Sequence, residues 1–279
     1  MYSVLNDVRE FLASESWYYE RGIPFRRGYL LHGVPGAGKT SLIHSIVGEL
    51  NLDIYVITLS RRGLDDAALN RLVSRIPTRA IALMEDIDAA FTHVFQHSSH
   101  CSSSLSWGST QPSAGVTLSG LLNAIDGVAA REGRLLFATT NHIERLDPAL
   151  SCPGRMDMHI EFGLASRWQA AALFKAFYPP APSNEPTARA FCDESSLADR
   201  FAAAVPDAEF SVATLRGHLM SFKTRHFDAV AAFPGFVEKE LAATRRDAMV
   251  RAVVDSNVDK TETGNEGHGG TATAVNENA

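Results

Sequence analysis

The run Gly33-Val34-Pro35-Gly36-Ala37-Gly38-Lys39-Thr40 carries the spacing G-x-x-x-x-G-K-[ST]. Glycines at 36 and 38 let the backbone bend so that successive N–H groups point at phosphate oxygens. A helix that begins directly afterwards aims the positive end of its dipole at the same charge. Lys39 then reaches the β and γ phosphates, and the Thr40 hydroxyl ligates Mg²⁺, with Ser41 closing the cradle at the start of the helix. The pattern is specific only between a hydrophobic strand and a helix. Both are present: Tyr29-Leu30-Leu31 before it, and a helical pattern over 41–50 after it. The expected ligand is a nucleoside triphosphate, ATP.

A second constellation follows the apolar run Ala80-Ile81-Ala82-Leu83-Met84, which delivers Glu85, Asp86 and Asp88 to one end of a buried strand. Open parallel sheets bind ligands at the carboxyl edge of their strands, so these acids belong at the phosphate site. By position Glu85 takes the metal and Asp86 the attacking water. A third apolar run, Leu135-Leu136-Phe137-Ala138, ends in Thr139-Thr140-Asn141, which places Asn141 to reach between the γ-phosphate and that water.

Strands are expected at 29–31, 54–59, 80–84 and 135–138, with a weaker one at 158–162, and helices over 41–50, 65–75 and 118–128 between them. Alternation of this kind requires right-handed crossovers and a mostly parallel sheet with helices on both faces. The fold class is therefore α/β, a P-loop NTPase sheet. An amphipathic helix within 4–20, carrying Val4, Leu5, Val8, Phe11 and Leu12, precedes it. After 165 only helical patterns remain, at 166–178, 197–205, 211–224 and 237–253. The organisation expected is a large domain over 1–165, a small all-helical lid over 166–253 and an unstructured tail over 254–279, where aromatics are lacking. A Ser-rich stretch at 93–115 reads as a surface insertion.

Bulk composition excludes several classes. The chain has 26 Lys and Arg against 32 Asp and Glu, net −6, which leaves no basic stripe for a nucleic acid. The three cysteines form no C-x-x-C pair and fit a reducing compartment. No run approaches the ~20 apolar residues of a membrane-spanning helix. The chain itself reads as soluble.

The order phosphate loop, acidic strand end, Asn-ended strand, then Leu146-Asp147-Pro148-Ala149-Leu150 and Pro153-Gly154-Arg155-Met156-Asp157 resembles the AAA family of ATPases over about 20–165. The resemblance implies ATP hydrolysis in a homo-oligomeric ring. Arg155 matches the arginine finger, which serves the γ-phosphate of the neighbouring subunit. Two departures stand out: the family's usual Asp-Glu order is reversed at Glu85-Asp86, and Met158 replaces a second arginine.

Finer matches are similar to one branch, the mitochondrial inner-membrane AAA chaperone that delivers the Rieske iron-sulfur protein to respiratory complex III. They are Trp17-Tyr18-Tyr19 through Leu31, Glu85-Asp86-Ile87-Asp88 through Phe91, Leu121-Leu122-Asn123-Ala124-Ile125-Asp126-Gly127, and the lid pattern Phe210-Ser211-x-Ala213-x-Leu215-x-Gly217. This resemblance implies a protein client, and a membrane contact only through an N-terminal segment absent from this sequence. The branch's transmembrane helix and middle domain are not seen before Met1, and Cys152 replaces the arginine usual before Pro-Gly-Arg. A shortened chain is expected, and with it an alternative function, an ATP-dependent scaffold with little hydrolysis.

The loop Ser60-Arg61-Arg62-Gly63-Leu64-Asp65 lacks the aromatic that threading unfoldases use to grip an extended chain, so threading is disfavoured. His93, His97, His100 and Cys101 have loosely ligand-like spacing within the Ser-rich stretch, but zinc sites use tighter pairs. Trp17, Tyr18 and Tyr19 are expected to pack at the end of the first helix.

Overall fold

The computed structural model describes residues 2–61, 63–89, 115–127, 131–179 and 194–262. The Ser-rich insertion, with His93, His97, His100 and Cys101, lies outside them apart from Gly115.

Five strands form one wholly parallel sheet: β1 (Arg26–Gly33), β2 (Asp53–Ile57), β3 (Ala80–Met84), β4 (Arg134–Thr140) and β5 (Met158–Phe162). Their spatial order is β2-β3-β4-β1-β5. The central strands β3, β4 and β1 are apolar on both faces because helices cover both. Residues of one parity, among them Leu30, Ala82, Met84 and Ala138, pack under α4 (Asp66–Arg75) and α5 (Leu118–Asp126). Those of the other parity, Tyr29, Leu31, Ile81, Leu83, Leu135 and Phe137, pack under α1 (Tyr2–Ala13) and α3 (Lys39–Leu50).

All five expected strands are present; β3 and β5 have the expected ends, and those of β1, β2 and β4 are shifted. The run expected over 54–59 stops pairing at Ile57, because its neighbour β3 ends at Met84 in register with it and the chain then turns away. β2 is an edge strand, so Tyr55 and Val56 are exposed rather than buried. β5 looked weak in sequence because it holds the other edge and only every second residue is partly covered.

The helix expected within 4–20 is two helices, α1 and α2 (Glu15–Glu20), broken at Ser14. Val4, Val8 and Phe11 form the buried stripe of α1. Asp7, on the same helix, accepts from Arg27 (Nη2 at 2.8 Å, Nε at 3.1 Å) and from the Tyr29 hydroxyl at 2.7 Å, which ties α1 to β1. Of the three aromatics that follow, Tyr18 packs against Phe11 and Phe25, whereas Tyr19 is almost fully exposed and Trp17 half exposed under Arg21.

Contacts divide the chain into two compact units. The first comprises residues through Ala170 together with Pro206–Gly217; the second comprises Ala171–Val205 and the residues from His218 onward. The described helices after β5 are α6 (Arg167–Phe177), α7 (Glu194–Ala204), α8 (Val212–Met220) and α9 (His226–Glu262). The second unit has its own aromatic core, in which Phe201 meets Phe174 and Phe233 with ring centroids 5.2 and 4.7 Å apart. His218 is buried beside them and bonds the Ala229 carbonyl through Nε2 at 2.8 Å. α9 begins well before 237, contains Pro234, and continues past 254 to Glu262. Backbone hydrogen bonds can propagate a helix without buried apolar area. The remainder of the expected tail lies outside the described residues.

Candidate nucleotide-binding site

The phosphate loop leaves the carboxyl end of β1 and enters α3, whose N-cap is Gly38. Gly38 has φ +101°, a conformation that side-chain-bearing residues rarely adopt, so glycine is needed to turn the chain into the helix. Gly36 also has positive φ and lies against Ala213 and Ser211; its carbonyl accepts from the Ala213 N–H at 3.0 Å.

Lys39 is largely buried and turned into the loop. Its Nζ donates to the carbonyls of Gly33 (2.8 Å) and Val34 (3.0 Å) and to Asn141 Oδ1 (2.7 Å). Burial lowers its pKa, against the opposing charges of Asp86 and Asp88. The Thr40 hydroxyl donates to Glu85 Oε1 at 3.0 Å, so the two oxygen groups proposed for Mg²⁺ are adjacent. Hydroxyl and carboxylate oxygens are the donor set that hard cation prefers, so the residues present fit it.

Beyond Met84 the backbone reverses at Asp86, which has φ +47°. Aspartate tolerates this region better than most residues, and the Thr139 hydroxyl accepts from the Asp86 N–H at 3.1 Å. Asp86 Oδ1 accepts from Asn141 Nδ2 at 3.2 Å. Asn141 therefore bridges Lys39 and Asp86, one amide group joining the cation to the acid. Asp88 is buried and accepts from the Thr140 hydroxyl at 2.7 Å, anchoring the end of β4 to the acidic turn.

A cleft of about 340 Å³ opens over these groups, within the size range of small-ligand sites. Pro35, Gly36, Gly38, Lys39, Thr40, Ser41, Glu85, Asp86 and Asn141 line it; Gly33, Val34 and Ala37 belong to the loop itself but not to this lining. Four lining residues were missed as site residues in the sequence: Thr139, Val212, Ala213 and Arg216. Thr139 looked like an ordinary strand residue. Arg216, on the part of α8 that belongs to the first unit, fell on an unassigned position of the pattern Phe210 to Gly217. It is exposed, and its side chain makes no hydrogen bond or ion pair among the described residues. Its separation from Lys39 along the chain leaves no local signal that could have joined them.

Arg155 does not line this cleft. Its Nε donates to Asp126 Oδ2 at 2.6 Å and its Nη1 to the Ala149 carbonyl at 2.7 Å. Asp157 holds the segment in place: its carboxylate accepts from the N–H groups of Gly154 (2.8 Å) and Gly28 (2.9 Å), and its own N–H donates to the Gly28 carbonyl at 2.8 Å.

A parallel sheet ordered β2-β3-β4-β1-β5, with a phosphate loop after β1 and acids after β3, defines a P-loop nucleoside triphosphatase. Residues 29–164 match the family described as ATPase family associated with various cellular activities (AAA), and residues 167–235 match the mitochondrial chaperone BCS1-like ATPase lid domain. The chain belongs to the AAA family, with a lid of the BCS1-like kind. It is similar to the probable mitochondrial chaperone BCS1-A of Dictyostelium discoideum, 45% identical over 219 residues covering 78% of this chain and 48% of that protein. The mitochondrial chaperone BCS1 of Danio rerio is 44% identical over 223 residues, 79% of this chain and 49% of the relative. For that of Homo sapiens the values are 41% over 233 residues, 81% and 50%. The chain spans about half the length of the curated relatives it matches. Among the described residues no helix is long and apolar enough to cross a membrane.

Proposed function

We propose that this chain binds and hydrolyses ATP as a subunit of a homo-oligomeric AAA ring that acts on a protein client. The observation that carries the reading is the continuous network Lys39–Asn141–Asp86 beside the Thr40–Glu85 pair, all lining one cleft. Lys39 holds the phosphates. Thr40 and Glu85 hold Mg²⁺, which neutralises phosphate charge when bound. Asp86 orients the attacking water and takes its proton, with Asn141 fixing the position of the Asp86 carboxylate. Arg155 serves the site of the next subunit.

The ATPase domain in this reading occupies about 1–165, the lid about 166–253, and a tail the rest. Likeness to proteins named mitochondrial chaperones supports action in the mitochondrion; the inner membrane as its place and the Rieske protein as its client are proposed from the sequence resemblance alone. Nucleic acid is no partner in this reading.

The test is phosphate release measured across a protein-concentration series. Lys39→Ala should lose ATP binding. Asp86→Asn should keep binding while turnover falls by about 10²-fold or more. Tight ATP binding by the Lys39 variant would sink the assignment. A second reading, an ATP-dependent scaffold that barely hydrolyses, is favoured by the pairing of Arg155 within its own chain. Retained binding with flat background turnover at every concentration selects it over the ring enzyme.

A further inference from the structure

A second cavity, of about 40 Å³, lies toward the amino ends of β1 and β4, away from the phosphate loop at the carboxyl end of β1. Its lining includes the arginines Arg26, Arg27, Arg131, Arg134 and Arg155. Arg27 and Arg155 already have acidic partners, Asp7 and Asp126. Arg134 has none. Its residue is 7% exposed, and Nη1 donates to the Val73 carbonyl at 2.5 Å near the end of α4. Its Nε and Nη2 are fully buried without a hydrogen-bond partner among the described residues.

Charge makes this arrangement costly. Arg26 stands directly across from Arg134 in the parallel register of β1 and β4, so two like charges share one face of the sheet. Burial and the nearby Arg131 both push the Arg134 pKa down, as expected for a guanidinium lacking a counter-charge. The rest of the wall is mostly apolar, including Val73, Met84, Ala124 and Ile125. A buried cation in such surroundings needs a partner that replaces both its hydration and its missing charge. The free edge of a guanidinium presents parallel N–H donors matched to two oxygens of one carboxylate or phosphate.

We propose that this cavity binds a small oxyanion, a phosphate or a carboxylate group, beside Arg26 and Arg131, with the Arg134 side chain turning its free edge, packed away from the void in this structure, toward the anion. Its volume admits one such group and excludes a nucleoside, so the site is separate from the ATP cleft in both position and ligand.

The experiment uses the full chain saturated with ADP, at constant ionic strength set by sodium chloride. Sodium phosphate and, separately, sodium acetate are titrated while the melting midpoint and the phosphorus NMR linewidth of added phosphate are followed. Wild type should show a saturable rise in midpoint with at least one anion. Response to phosphate alone identifies free phosphate as the ligand, and response to acetate as well identifies an acidic side chain as an acceptable one. Arg134→Met should abolish the response while keeping ADP binding. Arg134→Lys, which retains charge without the fork and covers the case that the Met variant fails to fold, should weaken anion binding about tenfold. Arg131→Ala should weaken it a few-fold. No saturable response in wild type, or an unchanged response in the Arg134 variants that fold, overturns the proposal. Comparing variants isolates Arg134 even if ADP fails to bind.

Discussion

Lys39 is bonded to two loop carbonyls and Asn141, which fixes the ammonium where phosphate oxygens would arrive. Phosphate binding needs it charged, and burial has lowered its pKa below that of an ordinary lysine. Deprotonation therefore begins at lower pH in the free protein. ATP affinity measured against pH should decline on the alkaline side before the usual lysine range, and Lys39→Arg should remove that decline. A flat profile through that range would show that the burial has no consequence for binding. Arg216 is the other cation at this cleft, and one that the described residues leave without a partner. Arg216→Ala should weaken ATP affinity about tenfold, the scale of one charge-assisted hydrogen bond, without lowering the melting midpoint of the nucleotide-free protein. Equal affinity in the variant would mean that the guanidinium stays in solvent. The contrast between these two cations also shows what sequence can convey. Lys39 is legible because one contiguous loop creates its whole environment, whereas Arg216 reaches the cleft only through the packing of Ala213 against Gly36.

Elements place these groups through contacts that local patterns do not encode. The apolar runs reveal that strands exist and that they alternate with helices. Their order in the sheet depends on which runs pair, and the edge positions of β2 and β5 explain why one run is exposed and the other looked weak. The joint between β1 and the Pro153-Gly154-Arg155 segment is a case of close approach. A methyl group at Gly28 would overlap the Arg155 carbonyl, and both the N–H and the carbonyl of Gly28 bond Asp157. Gly28→Ala should therefore destabilise the fold by about 1–3 kcal/mol, the usual range for overpacking, and displace the segment that carries Arg155. Urea unfolding measures the first effect. A variant as stable as wild type would mean that the segment moves freely away from β1. In sequence Gly28 had no turn signal, because its requirement comes from a segment far along the chain.

At the scale of the whole molecule the question is where Arg155 acts. Within one chain its guanidinium is satisfied by Asp126 and the Ala149 carbonyl, and it is absent from the lining of that chain's own phosphate cleft. Action in a second copy requires leaving Asp126, and the phosphate charge of a bound nucleotide is the kind of partner that can replace a carboxylate. The exchange keeps the guanidinium paired before and after, so the change in pairing energy is small compared with its effect on the transferring phosphoryl group. An arginine supplied in this way contributes on the order of 10³ or more in turnover. Arg155→Ala alone should fall by that factor while still binding ATP. Lys39→Ala alone should also be inactive, having lost the nucleotide but kept the arginine. Mixing the two variants should restore activity, because a subunit with an intact phosphate loop then meets a neighbour with an intact Arg155. The restored rate should rise with total protein concentration as the copies associate. Wild-type turnover by pure Arg155→Ala, or mixtures no more active than their components, would confine Arg155 to its bond with Asp126 inside one chain.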